Sequence, residues 1–123
     1  DPEGMLMRRV RAGKGGATGA LYGNRIHRED LSRLIVHCLE RDHSGQEVPP
    51  TLVGADHDQT PTHEVENWLA HQIAVTLIRP SDPSPSRANR RCRNSLLARI
   101  GFTLSYPTWR EGYRAALDAS EDK

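Results

Sequence analysis

Several side chains in this sequence could do chemistry if their spacing were right. His27 and Asp30 stand three residues apart in "NRIHREDLSRLIVHCLER", residues 24 to 41. Such a pair suits half of a metal site, part of a catalytic relay, or a fastening at a helix start. His57, His63 and His71 fall within fifteen residues, with Asp56, Asp58, Glu64 and Glu66 nearby. His63 and His71 are eight apart, about two helical turns, which is too far for one ion without help from another segment. No His-Glu-x-x-His and no cysteine pair is present, so no metal site is expected and these histidines read as solvated. "RANRRCR" places Arg87, Arg90, Arg91 and Arg93 within seven residues. Guanidinium groups so grouped can clamp a phosphate or carboxylate bidentately, or tie down nearby carboxylates as a solvated loop.

Nucleophilic catalysis has little to work with. Ser32, Ser44, Ser95 and Ser105 lack an elbow context, and Cys92 lies among arginines with no identifiable base. Arginine neighbours lower a thiol pKa, which would make Cys92 reactive without giving it a mechanism. "GKGGATG", residues 13 to 19, has the glycines of a phosphate loop but not its lysine. A P-loop needs Lys-Ser/Thr after its last glycine, whereas Lys14 follows the first. The pattern Gly-x-Gly-x-x-Gly fails at Thr18. With no strand before it and no helix directly after it, a flexible surface loop is expected.

The elements that must position these residues are mostly helical. Residues 3 to 11 predict a short helix burying Met5, Leu6 and Val10 and stopped by Gly13. "NRI" extends briefly as a strand, and from Arg28 the period becomes helical. Leu31, Leu34, Ile35, Cys38 and Leu39 make one apolar stripe, with Glu29 and Asp30 in the first turn and Arg41 in the last. "TLVGA" reads as a short strand. Thr60 and Pro61 open a second long helix that buries Val65, Trp68, Leu69 and Ile73. Residues 76–93 contain a loop rich in Pro, Ser and Arg. Asn94 caps a short helix ended by Gly101, and "FTLSY" alternates like a strand. Thr108 and Glu111 then form a capping box for a last helix carrying Tyr113, Ala116 and Leu117 inward.

Composition narrows the classes further. The 123 residues are one domain's worth of chain, expected as a single region over 1–123 with a lean core. Lys plus Arg number 17 against 16 Asp plus Glu, so the strong basic field of a non-specific nucleic-acid binder is missing. No apolar run is long enough to span a bilayer. Two cysteines are too few for a disulfide framework, and Cys38 on an apolar stripe points to a reduced thiol and a cytoplasmic protein. The chain opens "DPEGMLMRRVRAG" without an initiator Met, as if cut from something longer.

The segment "RIHREDLSRLIVHCLE" resembles the Ile-His-x-x-Asp-Leu segment of the extended short-chain dehydrogenase/reductases, the NAD-dependent epimerase/dehydratase family. "TLVGADHDQTPTHEVENWLAHQIAV" is similar to that family's following strand, loop and Pro-led helix. "RRCRNSLLARIGFTLSYPTWREGYRAAL" is similar to its closing Asn-capped helix, Tyr-Pro strand and Gly-Tyr helix. The resemblance runs from about Glu3 to Leu117. It implies an α/β parent whose C-terminal, helix-rich substrate-binding region with short strands is this chain. It also implies His27 and Asp30 as a structural junction, where a strand ends and a helix opens.

The family's machinery is expected elsewhere. Its glycine-rich nucleotide loop between strand and helix, and its Tyr-x-x-x-Lys pair, belong to an N-terminal Rossmann half. Tyr22, Tyr106 and Tyr113 here have Ile26, Arg110 and Leu117 four residues on, so no catalytic residue is expected in this chain. NAD or NADP would be held by the missing half, and none by this one. Arg87, Arg90 and Arg91 are the candidates for an anionic group of a small-molecule substrate. Nucleotide-sugar members carry an Arg shortly before Ile-His, where this chain has Tyr22 and Gly23, a departure that argues against a nucleotide sugar. Expected partners are the Rossmann half and a second copy in a homo-oligomer, with no nucleic acid or membrane. The other reading is a non-catalytic interaction or scaffold module.

Overall fold

The structure, a computed structural model, describes residues 4–16, 22–80 and 91–121. Five helices occur among them: α1 (Gly4–Arg11), α2 (Arg28–His43), α3 (Thr62–Gln72), α4 (Ser95–Arg99) and α5 (Trp109–Glu121). The fold is mostly helical. The segments expected as strands, in 24–26, 51–55 and 102–106, run without regular strand structure. The described residues hold two isolated bridges, Lys14 with Ile78 and Tyr22 with Pro61. The reason is pairing: an extended segment becomes a strand only when a neighbour takes up its amides in register. Here single bonds serve instead, such as the Asp56 amide donating to the Arg25 carbonyl at 2.8 Å.

The chain forms two compact units. The first comprises residues 1–23, 60–91 and 115–123. In it α1 packs on α3, burying Met7, Val10, Val65, Leu69 and Ala70, with Leu117 also buried. Met5, expected inside, is exposed, and Met7 takes its place. Trp68 is half-buried on α3. Thr62 rather than Pro61 starts α3: Pro61 is its N-cap, without a side-chain capping bond, and Thr60 lies outside the helix. A buried carboxylate organises this unit. Glu66 accepts from Arg9 Nη2 at 2.5 Å, from Arg79 Nη1 at 2.8 Å and from the Gly16 amide at 3.1 Å. Burial pushes its carboxyl upward, but Arg79, Arg9 and the amide together outweigh burial, and its pKa lies below the ordinary value.

The second unit comprises residues 24–59 and 92–114. Its core is Leu34, Leu97, Ile100, Phe102 and Leu104, with Ile26, Cys38 and Leu52 packed against them. Burying each large side chain contributes roughly 1.5–3 kcal/mol. Trp109, at the start of α5, is also buried, with the Arg110 guanidinium 4.3 Å over its ring. The α2 stripe is only partly inside. Asp30, Leu34 and Cys38 face the core, while Leu31, Ile35 and Leu39 are exposed. The helix is therefore rotated from the orientation its most apolar line predicts. Asp30 dictates that rotation, because both of its oxygens take backbone amides inside the unit.

Four helices end in the same way. After α1, α2 and α4 the chain turns at Gly13, Gly45 and Gly101, each with φ between 74° and 76°. The two closing bonds of a Schellman motif are present each time; after α2 they run from Gly45 N to the Asp42 carbonyl and from Gln46 N to the Arg41 carbonyl. After α3 the same bonds run from Ala74 N to His71 and from Val75 N to Ala70, but the left-handed residue is Ala74, with φ 56°. A Cβ in that region is unfavourable by roughly 1–2 kcal/mol. Ala74→Gly should therefore raise stability by about 1 kcal/mol in chemical denaturation, with α3 unchanged by circular dichroism. A neutral or destabilising result would mean that α3 does not close through this turn.

Candidate functional site

The opening His-x-x-Asp pair resolves into two separate tasks. His27 is the N-cap of α2, and its Nδ1 accepts from the Glu29 amide at 3.1 Å. Its ring stacks on Tyr106 with centroids 3.7 Å apart and planes 14° from parallel. Asp30 is fully buried. Its Oδ1 accepts from the Ser105 amide at 2.9 Å and from Arg33 Nη1 at 2.8 Å, and its Oδ2 from the Tyr106 amide at 2.8 Å. Arg33 continues to Ser105 Oγ and the Thr103 carbonyl, and lies over the Phe102 ring. With both Asp30 oxygens held by amides, the pair is a fastening: a short helix-starting sequence takes hold of the segment seventy-five residues away. Glu29 accepts from the Tyr106 hydroxyl at 3.2 Å, and this bond raises the phenol pKa.

A second polar cluster in the same unit was not legible as a site. Asp56 is buried, and its Oδ1 accepts from the Asp58 amide at 3.0 Å and from Gln59 Nε2 at 2.9 Å. Gln59, also buried, receives the Arg25 amide on Oε1. Burial dominates at Asp56 and raises its pKa from 3.8 to about 6, against the pull of the Asp58 amide and Arg25. Asn94, expected as a helix cap, makes no capping bond. Its Nδ2 donates to the Ala55 carbonyl at 2.8 Å and lies 3.0 Å from His57 Nδ1. The amide nitrogen is a donor, so neutral His57 carries its proton on Nε2. Asn24, with φ 43°, accepts from the Cys92 amide at 2.8 Å. Asp58 pairs with Arg110 at 3.1 Å. The signal in sequence was only "ADHDQ", which alternation cannot tell from a solvated loop.

An open groove of about 560 Å³ runs along α2, lined in part by Arg33, Val36, His37, Glu40, Phe102 and Thr103. His37 Nε2 lies 2.6 Å from the Ile100 carbonyl, and a carbonyl only accepts, so Nε2 is the protonated nitrogen there. The groove thus pairs an apolar floor with positioned polar groups.

The expected arginine site falls mostly outside the described residues: Arg87 and Arg90 do, while Arg91 lies with its guanidinium 5.6 Å over the Tyr22 ring. Among the described residues, no group of three His, Cys, Asp or Glu could hold a metal ion, and no helix is long and apolar enough to cross a membrane. Both cysteines are free and half-buried. Gly13, Gly16 and Gly19 do stand at the Gly-x-x-Gly-x-x-Gly spacing of the resembling family's nucleotide loop. Their setting differs: helix α1 precedes them rather than a strand, and the Gly16 amide already donates to Glu66. A phosphate would have to displace that carboxylate. Comparisons with protein-family models, curated proteins and solved structures find no match to this chain.

Asp30→Ala should destabilise the chain by about 3 kcal/mol, because two amides and Arg33 lose a buried acceptor. His27→Ala should cost about 1 kcal/mol, the value of one helix cap. Urea titration of both variants checks the ranking, and equal losses would contradict the fastening.

The Asp56 pKa makes a signed prediction. The folded chain holds this proton to about pH 6, whereas the unfolded carboxyl releases it near 3.8. The favourable contribution is therefore full at acid pH and is lost as pH rises through that window. Asp56→Asn keeps an oxygen acceptor without the charge. It should be more stable than the parent at pH 7.5, by on the order of 1 kcal/mol, and should lose that advantage at pH 4. Denaturation curves at the two pH values decide it; an equal loss at both would show that the folded chain does not hold this proton more tightly, and a loss larger at pH 7.5 would show that the carboxylate is stabilising.

Proposed function

We propose that this chain is the substrate-binding portion of an NAD(P)-dependent oxidoreductase or epimerase-like protein of the extended short-chain dehydrogenase/reductase type. One observation supports this reading above the rest. The Ile-His-x-x-Asp, Tyr-Pro and Gly-Tyr segments that carry the resemblance meet at a single point. His27 stacks on Tyr106, Asp30 takes the Ser105 and Tyr106 amides, and a Cβ on Gly112 would lie 3.0 Å from His27 Cδ2. His27, Asp30, Tyr106 and Gly112 thus each have a contact that suits the residue type found there. In this reading NAD or NADP is held by a Rossmann half, and this portion shapes the pocket. Arg91, with Arg87 and Arg90, meets an anionic group of the substrate. The segments in 24–26, 51–55 and 102–106 become short strands when that half supplies their neighbours, completing the α/β fold.

A non-catalytic interaction module is the second reading, favoured by the exposed Leu31, Ile35 and Leu39 on α2.

Calorimetric titration with each dinucleotide at physiological salt separates the chain from its parent. The 123 residues should show no saturable binding, because a dinucleotide needs a strand, a glycine turn and a helix N-terminus aimed at the pyrophosphate. A product extended upstream of Asp1 should carry that unit and bind at micromolar concentration. Saturable binding by the 123 residues, or a start codon directly before Asp1, would overturn the proposal.

A further inference from the structure

The exposed apolar line on α2 can be assigned an occupant of its own, whichever of the two readings holds. Leu31, Ile35 and Leu39 are 42%, 55% and 65% exposed, and Val36 beside them is 52% exposed. Together they form one apolar line along a helix of 16 residues, about 24 Å long. A line of this kind on a helix surface is normally covered. Val36 carries the same surface into the groove beside Phe102. The exposure is not a packing failure: Asp30, by taking the Ser105 and Tyr106 amides, turns the neighbouring Asp30–Leu34–Cys38 line inward, about 100° round the helix.

The charges at the two ends of the line say what covers it. Arg28 lies seven residues before Ile35 and Asp42 seven residues after it, and both are exposed. Consider two copies of α2 laid antiparallel about a two-fold axis through Ile35. Leu31 of each copy then meets Leu39 of the other, Ile35 meets its own equivalent, and Arg28 of each copy faces Asp42 of the other. A parallel pairing would set arginine on arginine and aspartate on aspartate. Self-complementarity of this kind is what a two-fold interface demands of a single surface, and the seven-residue spacing suits the shallow crossing of paired helices. We infer that the Leu31–Ile35–Leu39 face of α2 is an antiparallel, two-fold interface with a second copy of this chain. One helix face is a small interface, so the dimer is weak and concentration-dependent.

Sedimentation equilibrium on the 123-residue chain tests this, from about 10 μM to about 1 mM at low salt, where exposed charges are least screened. The parent should pass from monomer to dimer across that range. Ile35→Glu, which places two carboxylates on the axis at a solvent-exposed position, should raise the dissociation constant at least about tenfold while melting like the parent. Arg28→Asp and Asp42→Arg should each weaken dimerisation several-fold, and the double variant should restore it to within about twofold. A parent that stays monomeric to the top of the range overturns the inference and assigns the face to a different partner. Association that survives Ile35→Glu, or that tightens with Arg28→Asp alone, overturns the antiparallel arrangement.

Discussion

A single buried carboxylate sets the second unit of this protein. Asp30 lies in the first turn of α2, where a helix dipole already favours negative charge, yet its oxygens are turned away from solvent and take the amides of Ser105 and Tyr106. Those amides belong to a segment without strand partners, which would otherwise leave donors unsatisfied on burial. The same carboxylate binds Arg33, and Arg33 reaches the Thr103 carbonyl and the Phe102 ring. Helix rotation, the course of 102–106 and the placing of Tyr106 against His27 all follow. The apolar line Leu31–Ile35–Leu39 is left outside as a consequence, because the helix is turned to centre the Asp30–Leu34–Cys38 line on the core.

Glu66 plays the matching part in the first unit, and the contrast is instructive. Asp30 is satisfied largely by backbone amides, so its partners are fixed by chain path. Glu66 is satisfied largely by Arg9 and Arg79, with the Gly16 amide between them. Arg79 in turn donates to the Gly16 and His63 carbonyls and to Asn67 Oδ1. Breaking such a buried network from one side leaves an unpaired charge, a larger penalty than the pair contributes when intact. The glycine loop is thereby held as part of the fold on its described side.

Helix positions were legible because their signals are local. The glycines that end α1, α2 and α4 are the residues the left-handed turn needs, and the Glu111 half of the Thr108–Glu111 box is realised, with Glu111 accepting from the Thr108 amide at 3.0 Å. Ala74 gave no such signal, since alanine is a helix former and only the closing bonds reveal its role. The expected strands do not form in this chain by itself because alternation in "FTLSY" marks burial of Phe102 and Leu104, which a partnerless extended segment achieves as well as a strand. The rotation of α2 was illegible for a different reason. Hydrophobic pattern ranks faces by apolar content, and it has no means of knowing that an aspartate will be drawn inside by amides seventy-five positions away. The Asp56 cluster was hidden similarly, its members lying in four separated stretches.

The two tryptophans fall one to each unit, Trp68 on α3 and Trp109 at the head of α5. The chain therefore carries a separate intrinsic fluorophore in each unit. Trp109 sits under a guanidinium at 4.3 Å and is shielded from solvent, whereas Trp68 is half-open. Their emission should differ in wavelength and in access to a soluble quencher. Replacing either one with Phe leaves a chain that reports on one unit alone. Coincident denaturation midpoints in the two single-tryptophan chains would identify one cooperative folding unit, and separated midpoints would identify two.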